Sequence, residues 1–302
     1  MTANRCAIGI DLGGTNIFSG IVDSNGHILA TAKLATPKVG GPQAVFVAMK
    51  GLIRELLPQT GGREILGIGL GIPGTADKNG VVIQSGNLGW EHVPVLPEFA
   101  DLGLPLVMDN DVRCHTMGEL HFGAGRGVSN FILLTLGTGI GSGIVLDGQL
   151  YRGPANMAGE LGHIPLEPNG PVCGCGKRGC FEALASGTAI ARRAKEAMLA
   201  SSAKELFALA GSGNAQALAL VDAIAYDLGR GIACYVNLMN PQRVIVGGGV
   251  AMAGDLLFTP MRRYALQETM ASIRSTVDIV PAQLGDEAGI VGAASMVPGL
   301  VC

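Results

Sequence analysis

The sequence predicts an α/β protein of two lobes built on a duplicated core, and three observations predict it. The 302 residues are enough to bury a large core. β-Branched runs broken by glycine turns alternate with helical periodicities along the chain. One strand–turn–strand unit also occurs twice: shifted by 123 residues, positions 14–22 (GTNIFSGIV) match 137–145 (GTGIGSGIV) at seven of nine places. A repeat at that distance points to a duplicated lobe, although short matches also arise by chance in a chain with 47 glycines.

Taken in order, AIGIDLGGTNIFSGIVDSNGHIL reads as strand, glycine turn, strand, Asn-Gly hairpin turn, strand. A helix is expected from Gly41 to Leu57, with Val45, Met49, Leu52, Ile53 and Leu56 on one face. The strand ILGIGLG ends at the turn IPG, and the strand LPLVM leads into a helix running through Leu120. FILLTLGTGIGSGIVLDGQL repeats the opening design. Ser186 to Ala200 is amphipathic and basic, and Asn214 to Asn240 sets Val221, Ala225, Leu228, Ile232 and Tyr235 along one stripe. RVIVGGGV reads as a buried strand running into three glycines, and GDEAGIVGAASMV as a closing helix. These patterns divide the chain into a small lobe, residues 1–118, rejoined by the C-terminal helix 286–298, and a large lobe, residues 119–285.

Charge and composition exclude several classes. A net charge of −3 offers no basic face, so neither nucleic acid nor an anionic membrane is an expected partner. The longest uncharged stretch, GVSNFILLTLGTGIGSGIVL, carries glycines at alternate positions 137 to 143, which suits a membrane helix poorly. The start, MTANRCAIGID, lacks the apolar run of a signal peptide, so a cytoplasmic chain with reduced thiols is expected. Of the seven cysteines, Cys6, Cys114 and Cys234 sit in periodic apolar segments and read as core. Cys302 has no assignable role.

The other three, Cys173, Cys175 and Cys180, fall within eight residues, ten positions after His163, on a Gly- and Pro-containing loop. Zinc takes four such ligands in a tetrahedron, and a site closed by four protein ligands is structural. A Cys-x-Cys disulfide would be strained, but spacing alone leaves free thiols and a redox role open beside zinc.

DLGGT (Asp11 to Thr15) and GTG (Gly137 to Gly139) share one chemistry, in which glycine lets backbone N–H groups approach phosphate oxygens and threonine adds a hydroxyl. Neither is a Walker loop or a dinucleotide fingerprint. Either alone also reads as a plain hairpin, whereas two turns facing one cleft would clamp a phosphate. In VMDNDVRCHTMGEL, Asn110 or Asp111 is a candidate helix cap, with Asp109 close enough to leave the capping residue open, and a carboxylate there is also a candidate acceptor of a hydroxyl proton. Glu160 and Glu182 bracket the cysteine loop and are candidates to grip sugar hydroxyls, against the alternative of solvated surface residues.

DLGGTN, GNLGW, DNDVRCHTMGE, LGTGIGSGI, GELGHIPL, CGCGKRGCFEALASG, VIVGGGV and GDEAGIVGAA together resemble, in order and over nearly the whole chain, the ROK family of sugar kinases and repressors. GNLGWEHVPV resembles its bacterial glucokinase branch. The resemblance implies the actin-like ATPase (ribonuclease H-like) fold, two lobes with a duplicated α/β core around a central cleft. It implies that Gly13, Gly14, Thr15 and Asn16, with Gly137, Thr138 and Gly139, hold ATP phosphates. Asp11 would orient Mg²⁺ through water, and Gly247, Gly248 and Gly249 would lie by the adenosine portion. Asn87, Asn110, Asp111, Glu160, His163 and Glu182 would hold the sugar, with Asp111 as general base. His163, Cys173, Cys175 and Cys180 would bind a structural zinc.

The implied activity is ATP-dependent phosphorylation of the 6-hydroxyl of an aldohexose, glucose first. N-Acetylmannosamine, N-acetylglucosamine, allose and fructose are the alternative acceptors, and a sugar-sensing regulatory protein is the non-enzyme alternative. A homodimer is the family expectation. Arg113, Cys114 and His115 depart from the small residues common there, which puts the exact sugar in doubt. With the first strand starting near residue 5, no N-terminal helix-turn-helix domain of the repressor kind is expected.

Overall fold

The computed structural model describes residues 4–301, so Cys302 lies outside the described residues. The chain forms two compact units: residues 1–127, 150–158 and 283–302, and residues 128–149 and 159–282.

The first unit opens with β1 (Arg5–Leu12), β2 (Asn16–Asp23) and β3 (Ile28–Ala35), an antiparallel meander. Helix α1 (Gly41–Leu56) follows, and Pro58 then forces a short 3₁₀ turn, so the helix ends one residue before the expected Leu57. β4 (Glu64–Ile72) runs parallel to β1, and β5 (Thr75–Ala76), β6 (Val81–Ser85) and β7 (Trp90–Pro94) form a small antiparallel sheet. β8 (Leu106–Asn110) then pairs parallel to β4 and runs directly into α2 (Asp111–Phe122). The main sheet has the order β3-β2-β1-β4-β8. Residue 118, the expected lobe boundary, lies inside α2, and this unit runs on to residue 127.

The second unit starts with the hairpin β9 (Phe131–Leu136) and β10 (Ile140–Leu146), after which the chain leaves it at β11 (Gln149–Leu150). It returns through the cysteine loop to α3 (Phe181–Ala185), α4 (Gly187–Glu196), α5 (Ala203–Gly211) and α6 (Ala215–Met239). β12 (Arg243–Gly247), α7 (Asp255–Glu268) and β13 (Asp278–Pro281) complete it. The sheet order β11-β10-β9-β12-β13 repeats that of the first unit, an antiparallel hairpin followed by two parallel neighbours. The matching sequences 14–22 and 137–145 occupy the same place in both sheets, the turn and second strand of that hairpin.

Local chemistry sets the helix ends. Ser186, Ser202 and Asn214 cap α4, α5 and α6, each accepting the N–H three residues on. Asn240 closes α6 in the left-handed conformation that asparagine tolerates. The expected α6 stripe from Val221 to Tyr235 is buried, but Cys234 is exposed and is not a core residue. It lies about 200° around the helix from Ile232, on the face opposite the stripe.

The chain closes with α8 (Ala288–Ser295), back in the first unit against β1, β4 and α2. Glycines let it lie on the strand backbone: a Cβ on Gly9 or Gly69 would stand 1.9 or 1.8 Å from the carbonyl oxygens of Ile290 and Ala293. Among the described residues no helix is long and apolar enough to cross a membrane.

Candidate active site

In the first unit the site is built where β1, β8 and α2 end or begin. The C-terminal end of β1 delivers Asp11, half-buried, and then the turn Gly13–Asn16. Gly13 N–H donates to Asn16 O at 2.9 Å, so the donors left toward a bound anion are those of Gly14 and Thr15. Thr36 braces the turn, its hydroxyl donating to Gly13 O at 2.7 Å and its N–H to Thr15 O at 2.9 Å. Asn87, exposed between β6 and β7, lies against this turn; a Cβ on Gly14 would stand 3.3 Å from the Asn87 Cβ.

The capping question at α2 resolves onto Asn110. Its Oδ1 accepts the Arg113 N–H at 3.2 Å and its amide donates to Gly74 O at 3.0 Å. Asp111, the first helical residue, is thereby relieved of capping and accepts the adjacent Val112 N–H at 2.8 Å. Burial, then the negative charge of Asp11, push the Asp111 carboxyl up to about 6, against an opposing pull from His115. His115 Nε2 stands 3.7 Å from Asp11 Oδ2. Burial disfavours its charged form, but Asp11, Asp111 and Glu119 outweigh that and raise its pKa. The residues that departed from the family pattern therefore have distinct places: His115 beside the two acids, Cys114 buried against Gly71, and Arg113 buried in an ion pair with Asp109 at 3.0 Å.

In the second unit the turn Gly137–Gly139 joins β9 to β10. Gly137 N–H donates to Gly139 O at 3.0 Å, while Gly137 O accepts the Gly187 N–H at 2.8 Å. Thr188 Oγ1 donates to Thr138 O at 2.8 Å, so the start of α4 seats the turn. Beside it opens a pocket of about 1030 Å³ lined by Gly137, Thr138, Thr188, Lys204, Phe207 and Gly249 among others. Of the three consecutive glycines, only Gly249 lines it. Gly247 packs on Ala282, and Gly248, at φ 86°, lies against the backbone of Leu136. Thr188, Lys204 and Phe207 were not singled out in the sequence, because isolated residues on amphipathic helices carry no motif.

The four expected metal ligands come together. One ligand atom from each of His163, Cys173, Cys175 and Cys180 lies within 4.8 Å of all the others. Cys175 Sγ and Cys180 Sγ are 3.6 Å apart, and Cys173 Sγ is 3.5 Å from His163 Nδ1. Tetrahedral zinc with thiolate ligands requires sulfur–sulfur separations of about 3.7 Å, so the donor set fits. Burial pushes the Cys173 thiol up to about 12, so metal binding there displaces a proton.

With Nδ1 turned to the cysteines, His163 Nε2 faces Glu160, 4.0 Å away. Glu182 links the loop to the glycine turn: Oε2 accepts the Ile140 N–H at 2.9 Å, and Cys173 Sγ lies 3.6 Å from Oε1. The sequence-predicted residues thus fall into one set per unit. Asp11, Gly13, Gly14, Thr15, Asn16, Asn87, Asn110 and Asp111 lie in the first unit, and the remainder in the second.

The profile of the ROK family matches residues 7–299. The chain is 40% identical to a glucokinase of Thermotoga maritima, covering 96% of both chains. It is 36% identical to an N-acetylmannosamine kinase of Citrobacter koseri, covering 97% of this chain and 98% of the other. Among solved structures it resembles a ROK family glucokinase of Streptomyces griseus in complex with glucose and AMPPNP. The TM-score there is 0.83 at 34% identity, over 97% of this chain and 99% of the other.

Proposed function

The chain belongs to the ROK family, and we propose that it is an ATP-dependent hexokinase that phosphorylates the 6-hydroxyl of an aldohexose, glucose before all. The observation that carries the reading is Asp111: a half-buried carboxylate, freed from capping by Asn110, whose pKa of about 6 lets it accept a proton near neutrality. Similarity to the glucokinases supports the choice of sugar, and the kinship with N-acetylmannosamine kinases keeps that amino sugar as the second reading.

Asp111 takes the proton of the 6-hydroxyl as that oxygen attacks the γ-phosphorus in line, breaking its bond to the β–γ bridging oxygen and releasing ADP. The N–H groups of Gly14 and Thr15, and those of Thr138 and Gly139, donate to phosphate oxygens as charge builds on them. The pocket beside Gly137 and Gly249 takes the nucleoside, with Lys204 and Phe207 in its wall. Asp11, 22% exposed at the end of β1, is an oxygen donor of the kind that holds Mg²⁺ through water, and the ion when bound neutralises phosphate charge.

Asn87, Glu160, His163 and Glu182 hold the sugar hydroxyls, while Asn110 acts by fixing the first turn of α2. His163, Cys173, Cys175 and Cys180 would hold a structural zinc, and their ligation would fix the imidazole of His163 and, through Cys173, the carboxylate of Glu182.

The test is ADP release over a panel of glucose, mannose, allose, fructose, N-acetylglucosamine and N-acetylmannosamine, for the native chain and for Asp111→Asn. The native chain is expected to prefer glucose. Asp111→Asn is expected to bind sugar but lose about 10²–10⁴-fold in turnover. No ADP release with any sugar overturns the kinase reading, and near-native turnover of Asp111→Asn overturns the assignment of the base.

A further inference from the structure

We propose that Arg113 is a positioning residue for the acceptor sugar: its guanidinium clamps the 152–158 segment against the first turn of the helix that carries Asp111. The inference rests on the hexokinase reading and adds to it a residue outside the family's motif roles.

Arg113 is buried, and all its contacts converge on that segment and its neighbour. Nη1 donates to Asp109 Oδ1 and to Asn156 O, both at 3.0 Å, and Nη2 donates to Ala158 O at 2.7 Å. Asp109, only 3% exposed, also binds Arg152 Nε at 2.7 Å through its other oxygen. The segment is therefore held at both ends by one carboxylate–guanidinium set in which Asp109 and Arg113 are buried. Asn156 sits in the left-handed conformation, φ 58°, and its amide donates to Ala76 O at 2.9 Å.

Apolar burial does not hold the segment, since none of its residues is buried and Met157 is exposed at 39%. Its order depends on the polar clamp. Two features tie the clamp to the reaction. Arg113 stands two residues after Asp111, and the segment ends at Ala158, two residues before Glu160. The guanidinium thus fixes the backbone that leads into one proposed sugar ligand on the same helical turn that presents the base.

An ammonium does not replace this. Lysine would keep one charge opposite Asp109 but has no planar fork to reach two carbonyls as well. Buried Asp109 would remain paired, so the fold is expected to survive.

The experiment compares the native chain with Arg113→Lys and Asn156→Gly, measuring KM for glucose, KM for ATP, kcat and the folded fraction. Glycine at 156 keeps the left-handed backbone but loses the Ala76 anchor. For Arg113→Lys we expect KM for glucose to rise about tenfold, the size of one lost positioned contact. KM for ATP should stay within about twofold, and kcat should fall less than KM rises. Asn156→Gly should move KM for glucose in the same direction by about threefold.

An unchanged KM for glucose in the folded variants overturns the proposal. A parallel rise of both KM values, or a loss of activity that only tracks the folded fraction, does so too. If Arg113→Lys does not fold, Asn156→Gly decides alone. A native chain inactive on every sugar would sink the hexokinase reading, whereas an active native chain with unaltered variants sinks only the clamp.

Discussion

At the scale of single residues, the chemistry turns on how Asp11, Asp111 and His115 share charge. Asp11 and Asp111 are both carboxylates in a half-buried setting, and two such groups resist ionising together. Burial first, and the charge of Asp11 second, raise the Asp111 pKa to about 6, above the usual carboxylate value. The sign for activity follows directly. A general base works only when deprotonated, so kcat/KM should be full above pH ~7 and fall tenfold per unit as pH drops below about 6. A pH profile on the native chain checks this. An acid limb near pH 4 instead would mean that the like-charge and burial effects on Asp111 do not act in the working enzyme.

At the scale of elements, close approach of backbones decides what tolerates change. Helix α8 rests on β1 and β4 through Gly9 and Gly69, and on α2 through its own Gly292, where a Cβ would stand 1.7 Å from Cys114 O. No rotamer relieves a clash between a Cβ and a carbonyl. Gly292→Ala should therefore displace α8 and cost at least ~1–3 kcal/mol, the range for overpacked sites; chemical denaturation measures it. A loss under about 0.5 kcal/mol would show that the helix shifts freely.

The cysteine loop is an element of another kind, one that gathers four candidate metal ligands. The purified chain should carry about one zinc. Cys175→Ser should lose zinc and raise KM for glucose together, because the loop carries His163 and contacts Glu182. Metal analysis beside kinetics tests this, and a fully active zinc-free native chain would exclude it.

At the scale of the whole molecule, two sheets of the same strand order each carry a glycine turn at the same place in their first hairpin. Duplication explains why the two glycine turns resemble one another, while the acids do not repeat. Asp11 has Leu134 at the position shifted by 123 residues. The acceptor's identity is likewise expected to be a property of the whole site. Glucose should exceed 2-deoxyglucose in kcat/KM, since a sugar lacking one hydroxyl leaves its partner in the site unpaired. N-Acetylated hexosamines should be poorer still. A preference for N-acetylmannosamine would move the chain to the other branch of its family while leaving the phosphoryl chemistry in place.

Periodicity, turn chemistry and ligand spacing are local properties, and the sequence alone determined what depends on them. These are the α6 stripe from Val221 to Tyr235, the strand–glycine–strand repeat, and the grouping of His163 with Cys173, Cys175 and Cys180. Only the tertiary structure decided what depends on partners distant in the chain. It assigned the cap at α2 to Asn110, because Gly74 O lies within reach of its amide. It brought Lys204 and Phe207 to the wall of the pocket beside Gly137. It also gave Arg113 its meaning, since no spacing in the sequence relates that side chain to carbonyls more than forty residues away at Asn156 and Ala158. Charge and hydrogen bonding act through space, and only folding brings such residues within their range.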